Sequence, residues 1–407
     1  MSASTIQLLI LVLIASVAVF KVAVNELDIR SATDSLNKGS TDEVRKAVSY
    51  NKANRRFQSL RILIQAILFF ALVATGTFGS IQTSLSESIE VGIWQNFAFI
   101  VGLGLAMFVI GIPFSVYKTF VIEAKFGFNR TKVGTFVTDR IKGLVVGAVI
   151  LGPLALFLLW IYQQIPNQIW WIAFIAVMIV QLFSAAFGTS VILPLFNKLQ
   201  QLPEGELREK ILGMCKAQNY KVGRIFVMNS SKRSSKTNAF FSGLGKTKTI
   251  VLFDSLIEKH TTDEVVAVLG HEIGHDRLGH VRAFLVMNTI QLFLIFALFG
   301  WATSSPEISL ALGGSESNII LGLIGFSALF SPLSLVLDTV TNFFSRRNEH
   351  SADEFSARIG EPNQIKSALS RLSSDNLSNP APHPLFVFMY YSHPTAKQRI
   401  AHLESLK

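Results

Sequence analysis

The chain has 407 residues, of which half are hydrophobic and only 16% charged, and its mean hydropathy is +0.43. Soluble domains average about 25% charged residues, so the composition excludes an ordinary soluble enzyme and indicates a membrane protein. The formal net charge of +10 would suit a nucleic-acid binder, but the basic residues lie beside apolar runs. Attraction to anionic lipid headgroups explains them more simply, so membrane lipids are expected partners and nucleic acid is not. The single cysteine, Cys215, excludes an intrachain disulfide and a cysteine-based metal site. It reads as a buried small side chain.

Seven apolar runs are long enough for a bilayer, which takes about 20 helical residues per crossing. They are Thr5–Val24, Ile62–Gly79, Gln95–Tyr117, Gly143–Tyr162, Ile169–Phe196, Ala283–Thr303 and Ile319–Leu337. The first lacks a basic leader and a clear cleavage site, so it is expected to remain as a span. Between the first two runs, segment 25–57 carries seven Lys/Arg and reads as a helical loop without chemistry. Segment 118–142 carries six, whereas 80–94, 163–168 and 304–318 carry none. The positive-inside rule then places the N-terminus outside and the C-terminus in the cytoplasm. Within the second basic segment, Phe120–Arg130 is amphipathic and is expected to lie at the membrane interface.

From Asn197 the character becomes that of a soluble domain. Pro203 to Arg208 starts a helix running to about Gln218, and Arg224–Met228 alternates like a strand. Asn238–Ser242 and Thr249–Phe253 flank Gly243-Leu244-Gly245 and read as a hairpin. A free strand edge there could pair with an extended peptide, or the hairpin could be purely structural.

Thr261–Val281 follows and reads as one helix, opened by a Thr261/Glu264 capping box. It carries His271-Glu272-Ile273-Gly274-His275. Residues four apart share a helix face, so His271 and His275 aim two imidazoles at one point with Glu272 beside them. This suits a Zn²⁺ with an open position and a carboxylate base. A third ligand is missing. Leu278 and Val281 occupy the positions where a metzincin has Gly and His, so that class is excluded. His280 lies about 140° round a continuous helix and is expected to face away. After the last run, Glu349 and Asp353 share a face. Glu349 suits the missing ligand, and Asp353 suits a hydrogen bond to a ligand imidazole. His350 and Glu354 compete, and a solvated acidic helix start would explain the same residues. Near the end, His393 sits on a Pro394 turn where it could donate to an oxyanion, and Arg399 could pair with an acidic group near the site. Each is otherwise structural.

Together the zinc helix, Phe120–Thr131, Pro194–Lys198, Leu202–Arg208, Ser231–Ser235, Asn238-Ala239-Phe240, Glu349–Asp353 and Ser392–Thr395 resemble the type I CAAX prenyl proteases. The resemblance runs in order from about residue 117 to the end. It implies an all-α polytopic membrane protein of seven transmembrane helices with a small α+β, gluzincin-like zinc protease domain. The expected divisions are a membrane domain at 1–196, a first protease part at 197–282, transmembrane helices six and seven at 283–337, and a second protease part at 338–407. The resemblance further implies one Zn²⁺ held by His271, His275 and Glu349, with Glu272 as catalytic base and His393 and Arg399 assisting the transition state and substrate backbone. Asn238 and Ala239 would line the substrate strand, and Asp353 would support a ligand. Family members enclose a large chamber and remove C-terminal tripeptides from prenylated CAAX proteins, so a peptide or lipidated protein is the expected substrate. Two departures stand out. Lys236-Thr237 replaces the pair expected before Asn238, and no retrieval signal follows Leu406-Lys407 in a chain short for a eukaryotic member. These features suggest a bacterial inner-membrane member, or an endoplasmic reticulum protein if eukaryotic. The alternatives are a membrane quality-control metalloprotease without prenyl preference, and a seven-span carrier or receptor.

Overall fold

The structure, a computed structural model, describes residues 1–38, 40–242 and 248–406. Its first helices are α1 (Ala3–Asp34), α2 (Asp42–Ala74), α3 (Thr77–Ser88), α4 (Ile93–Tyr117), α5 (Val133–Gln164), α6 (Ile169–Phe187) and the single turn α7 (Leu193–Phe196). A mixed α/β stretch follows with β1 (Leu199–Gln201), α8 (Glu206–Ala217), β2 (Val222–Met228), β3 (Ala239–Ser242), β4 (Lys248–Phe253), α9 (Asp254–Lys259) and α10 (Thr262–Arg277). The chain returns through α11 (His280–Thr303), α12 (Pro306–Ala311) and α13 (Ile319–Ile359), and ends in α14 (Pro362–Asp375), α15 (Pro384–Tyr390) and α16 (Ala396–Ser405). Among the described residues seven helices are long and apolar enough to cross a membrane, one for each predicted run.

These helices outreach a bilayer. At 1.5 Å per residue, the 32 residues of α1 extend about 48 Å, against an apolar layer of about 30 Å. Segment 25–57 is therefore the projecting ends of α1 and α2, consistent with its helical reading. The 41-residue α13 is the extreme case, running unbroken through Leu337, where the predicted span ended. Glu349 lies about 18 Å further along its axis.

At the opposite end from Glu349, α12 is wedged among the spans. Ile308 and Leu312 are buried with Ile10, Val73, Phe78 and Leu321. The Gly79 N–H donates to Leu312 O at 3.0 Å, and a Cβ on Gly79 would fall 1.9 Å from the Gly313 backbone. Only glycine permits that approach.

The mixed stretch is built on a four-stranded sheet of order β1-β2-β4-β3. The β3/β4 pairing is antiparallel, as predicted, with Ala239 opposite Leu252; the Gly243-Leu244-Gly245 turn lies outside the described residues. Beyond the prediction, β2 runs parallel to β4 and the three-residue β1 adds antiparallel to β2. Leu252, Ile250 and Ile225 of the sheet pack with Leu269 and Ile273 of α10, and Cys215 is buried among them.

Phe120–Arg130 packs its apolar side on protein. Ile122, Phe126 and Phe128 are buried with Ala47 and Tyr50 of α2 and with Leu377. Arg130 N–H donates to Arg233 O (3.0 Å) and Ser235 N–H to Phe128 O (3.1 Å). The segment braces the chain entering β3. An apolar stripe has the same periodicity whether it faces lipid or protein, so the sequence did not show this protein partner.

Candidate metal centre

The capping box that starts α10 is complete. Thr261 N–H donates to Glu264 Oε2 (2.9 Å), and Glu264 N–H donates to Thr261 Oγ1 (3.3 Å). One turn short of its C-terminus, α10 lies closely against α13. A Cβ on Gly274 would sit 3.2 Å from the Ala352 backbone, and one on Gly270 would sit 3.1 Å from Ser356 Oγ. Ser356 Oγ also donates to Ala267 O at 2.6 Å. This small-residue contact brings Glu349 to the imidazole pair.

Three donor residues converge there. His271 Nε2 and His275 Nε2 are 3.1 Å apart, and Glu349 oxygens lie 3.4 Å from the first and 3.2 Å from the second. Ligands about 2.0–2.1 Å from a tetrahedral ion are separated by about 3.3 Å, close to each of these spacings, the two to Glu349 being made by its two different oxygens. His350 and Glu354, the competing ligands, turn elsewhere. Glu354 accepts from His402 Nε2 at 2.7 Å, and the His350 ring lies 4.4 Å from that of His402.

Each imidazole is oriented from behind. His271 Nδ1–H donates to Asp353 Oδ1 at 2.9 Å, which leaves the Nε2 lone pair facing the centre. His275 Nδ1 lies 3.1 Å from His280 Nδ1. The same tautomer at His275 makes His280 the acceptor. The expectation that His280 faces away is thus overturned. It assumed one helix through Val281, but α10 ends at Arg277 and Gly279 adopts φ +76°, swinging His280 back towards the pair.

Arg399, on α16, is bidentate to Asp353 (Nε–Oδ2 2.7 Å, Nη2–Oδ1 2.6 Å), and its Nη1 lies 3.3 Å from Glu349 Oε2. The guanidinium is buried and directed at carboxylates. His393 places Nε2 3.2 Å from Glu349 Oε1, and with 60% of its side chain exposed it borders the open side. Asn238 is exposed and Ala239 buried at the start of β3. Among the described residues that strand pairs only with β4 and leaves its other edge free. A cavity of ≈ 1080 Å³ joins this strand to the centre, lined by Phe240 and Phe241 of β3, by Glu272 and His275, and by Gln181, Asn288 and Asn348 of the spans.

The electrostatics call for a cation. Burial alone would lower the His271 pKa, but its bonds to Asp353 and Glu349 outweigh this and raise it to about 9. Burial likewise raises the Glu272 carboxyl, against the pull of the neighbouring imidazoles. Three carboxyl groups (Glu272, Glu349, Asp353) face one guanidinium, and the raised His271 pKa shows that the cluster favours added positive charge, which a metal ion would supply in place of the proton. Glu349 Oε2 is buried without a hydrogen bond. The donor set therefore fits a metal.

Comparison with known proteins bears this out. Residues 201–407 match the model of peptidase family M48, and residues 32–198 match that of the CAAX prenyl protease N-terminal region with five membrane helices. The chain belongs to peptidase family M48. Among M48 relatives, the CAAX prenyl protease 1 homolog of Homo sapiens is 34% identical over 357 residues, covering 78% of this chain and 75% of that protein. CAAX prenyl protease 1 of Saccharomyces cerevisiae is 34% identical over 326 residues, covering 76% and 72%. The crystal structure of S. mikatae Ste24p superposes with a TM-score of 0.90 at 28% identity, over 98% of this chain and 99% of that one. The protein is a multi-pass membrane metalloprotease with a metal cofactor.

Two parts of this centre were not anticipated from the sequence. The packing faces of Gly270 and Gly274 carried a signal, small residues four apart, that only the partner α13 makes meaningful. The support from His280 depended on recognising Gly279 as a helix break.

Proposed function

We propose that the protein is a zinc endopeptidase that removes C-terminal tripeptides from prenylated CAAX proteins. The observation that carries the chemistry is the approach of His271, His275 and Glu349 to within 3.1–3.4 Å of one another, with Glu272 facing the same cavity. Two imidazoles and one carboxylate are the ligand set of a catalytic zinc with an open position. When bound, zinc supplies Lewis acidity towards a carbonyl and makes a water more acidic.

The chain's own residues do the rest. Glu272 accepts a proton from the attacking water and returns it to the leaving amine nitrogen. Its raised pKa brings its basicity closer to that task. His393 donates Nε2–H to the carbonyl oxygen as negative charge develops there. Arg399 holds Asp353 and Glu349, and through Asp353 it fixes the His271 ring. The exposed edge of β3, from Asn238 and Ala239, pairs with the extended substrate backbone.

Substrate class follows from the relatives' names and from the cavity wall, where Val281, Phe284 and Leu285 of α11 offer an apolar surface to an isoprenoid. The basic projecting ends of α1 and α2 share the metal end of the molecule, since Asn51 bonds Leu377 O and Arg55 bonds Asp28 there. That supports a cytoplasmic active site.

The test is cleavage of a farnesylated CAAX peptide beside its unprenylated twin. We expect selective cleavage of the former, its loss with a chelator, and its return with added Zn²⁺. Equal cleavage of both peptides would reject the prenyl specificity in favour of a general membrane-protein protease.

A further inference from the structure

His393 stands at the end of residues 376–395, a connection whose only helix is the two-turn α15. A catalytic donor on such a segment needs support from elsewhere, and the structure shows it on two sides. From α13, Arg346 Nη1 donates to Val387 O (3.1 Å) and Tyr391 O (2.6 Å), and Asn342 Nδ2 donates to Met389 O (2.7 Å).

The second side is a membrane helix. Asp28 of α1 is 1% exposed. Its Oδ1 accepts the His383 backbone N–H at 3.0 Å and Asn379 Nδ2 at 3.2 Å, and its Oδ2 accepts Arg55 Nε of α2 at 2.9 Å. Nearby on α1, Ser31 Oγ donates to Ala381 O at 3.0 Å. The Arg55 guanidinium lies 3.9 Å from the centre of the Phe386 ring. Burying a carboxylate is costly unless it is paired and hydrogen-bonded. Asp28 meets that condition, and two of its three bonds grip the same short connection while the third seats it on Arg55 of α2.

We propose that Asp28, seated by Arg55, is a positioning residue for His393. It sets residues 379–386 against α1, so that α15 and the turn after it present His393 Nε2 beside Glu349. The first span thus contributes to catalysis without touching substrate. This rests on the role given to His393 above.

The experiment uses purified full-length protein and a farnesylated CAAX peptide. Asp28→Asn keeps the size and one acceptor but removes the charge facing Arg55. We expect kcat to fall about ten-fold while KM stays within about two-fold, with metal content unchanged. In a His393→Ala background the same substitution should change kcat by less than about two-fold, because its route of action is already gone. Equal losses in both backgrounds, loss of metal, or a change in KM alone would overturn the proposal. If Asp28→Asn does not accumulate, Asn379→Ala removes one neutral bond to the same carboxylate and serves in the same cycle. A fully active His393→Ala would instead sink the reading of His393 itself, and this inference with it.

Discussion

The two ends of α13 are buried for different reasons, and its middle is not buried at all. From Ile319 to Ala328 the helix is packed by apolar neighbours such as Ile308, Leu312 and Phe299. From Glu349 to Ser356 it is buried again, now through Glu349, Asp353 and Ser356 against α10 and α16. Between Leu329 and Asn348 no residue is buried. A helix in the core of a compact protein would show one continuous buried stripe. Here full burial is confined to the two ends, while the middle is partly exposed, bonded to α15 through Asn342 and Arg346 and bordering the cavity at Asn348. Stability and chemistry are therefore separable along a single helix.

The sharpest way to break that comparison lies at the metal end. Glu272→Gln should retain metal and fold normally while cleavage falls by about 10³-fold. Glu349→Ala should lose both metal and cleavage. Elemental analysis beside the peptide assay distinguishes them, and normal turnover in Glu272→Gln would refute its role as base.

How much of this was legible beforehand followed the range of each interaction. His271, Glu272 and His275 lie within one helical turn, so spacing alone placed them. Glu349 was narrowed to three candidates by helix phase, and α16, which engages His350 and Glu354 through His402, decided between them. His280 was misjudged because a single left-handed glycine reset the phase. Gly270 and Gly274 carried no meaning until Ala352 and Ser356, some eighty residues away, lay against them. The parallel β2/β4 pairing was equally hidden, because a strand's alternation does not name its neighbour.

Gly274 gives the next largest effect. A leucine there must displace the Ala352 backbone, which a Cβ already meets at 3.2 Å. Overpacking of this kind costs about 1–3 kcal/mol and should also separate α10 from α13. We expect a lower unfolding temperature together with weaker metal binding. Destabilisation with metal affinity unchanged would show that the helix contact and the ligand geometry are independent.

A smaller effect is expected from the capping box, and it depends on pH. Burial pushes the Glu264 carboxyl up, but bonds from Ser367 Oγ, the Thr261 N–H and Arg371 outweigh it and leave the pKa lowered. A group depressed on folding adds stability that is present above its unfolded value, about 4.3, and lost as pH falls through the folded one. Glu264→Gln should therefore cost about 1 kcal/mol at neutral pH, and the difference should begin to shrink as pH falls below about 4.3 and go on shrinking through the lowered folded value. A difference constant down to pH 3 would assign the effect to shape rather than charge.

The least effect should come from the open middle of α13. Val336 has 57% of its surface free, so trimming it to alanine leaves no packed cavity behind. Within a membrane the lost methyl groups exchange contacts with lipid or cavity water, neither of which holds a fixed shape around them. Val336→Ala should then shift stability by less than about 0.5 kcal/mol, whereas Ile324→Ala, among the buried residues of the first end, should cost about 2–5 kcal/mol. A Val336→Ala penalty approaching that of Ile324→Ala would mean that another surface covers the middle of the helix, and the contrast between its packed ends and unpacked centre would fail.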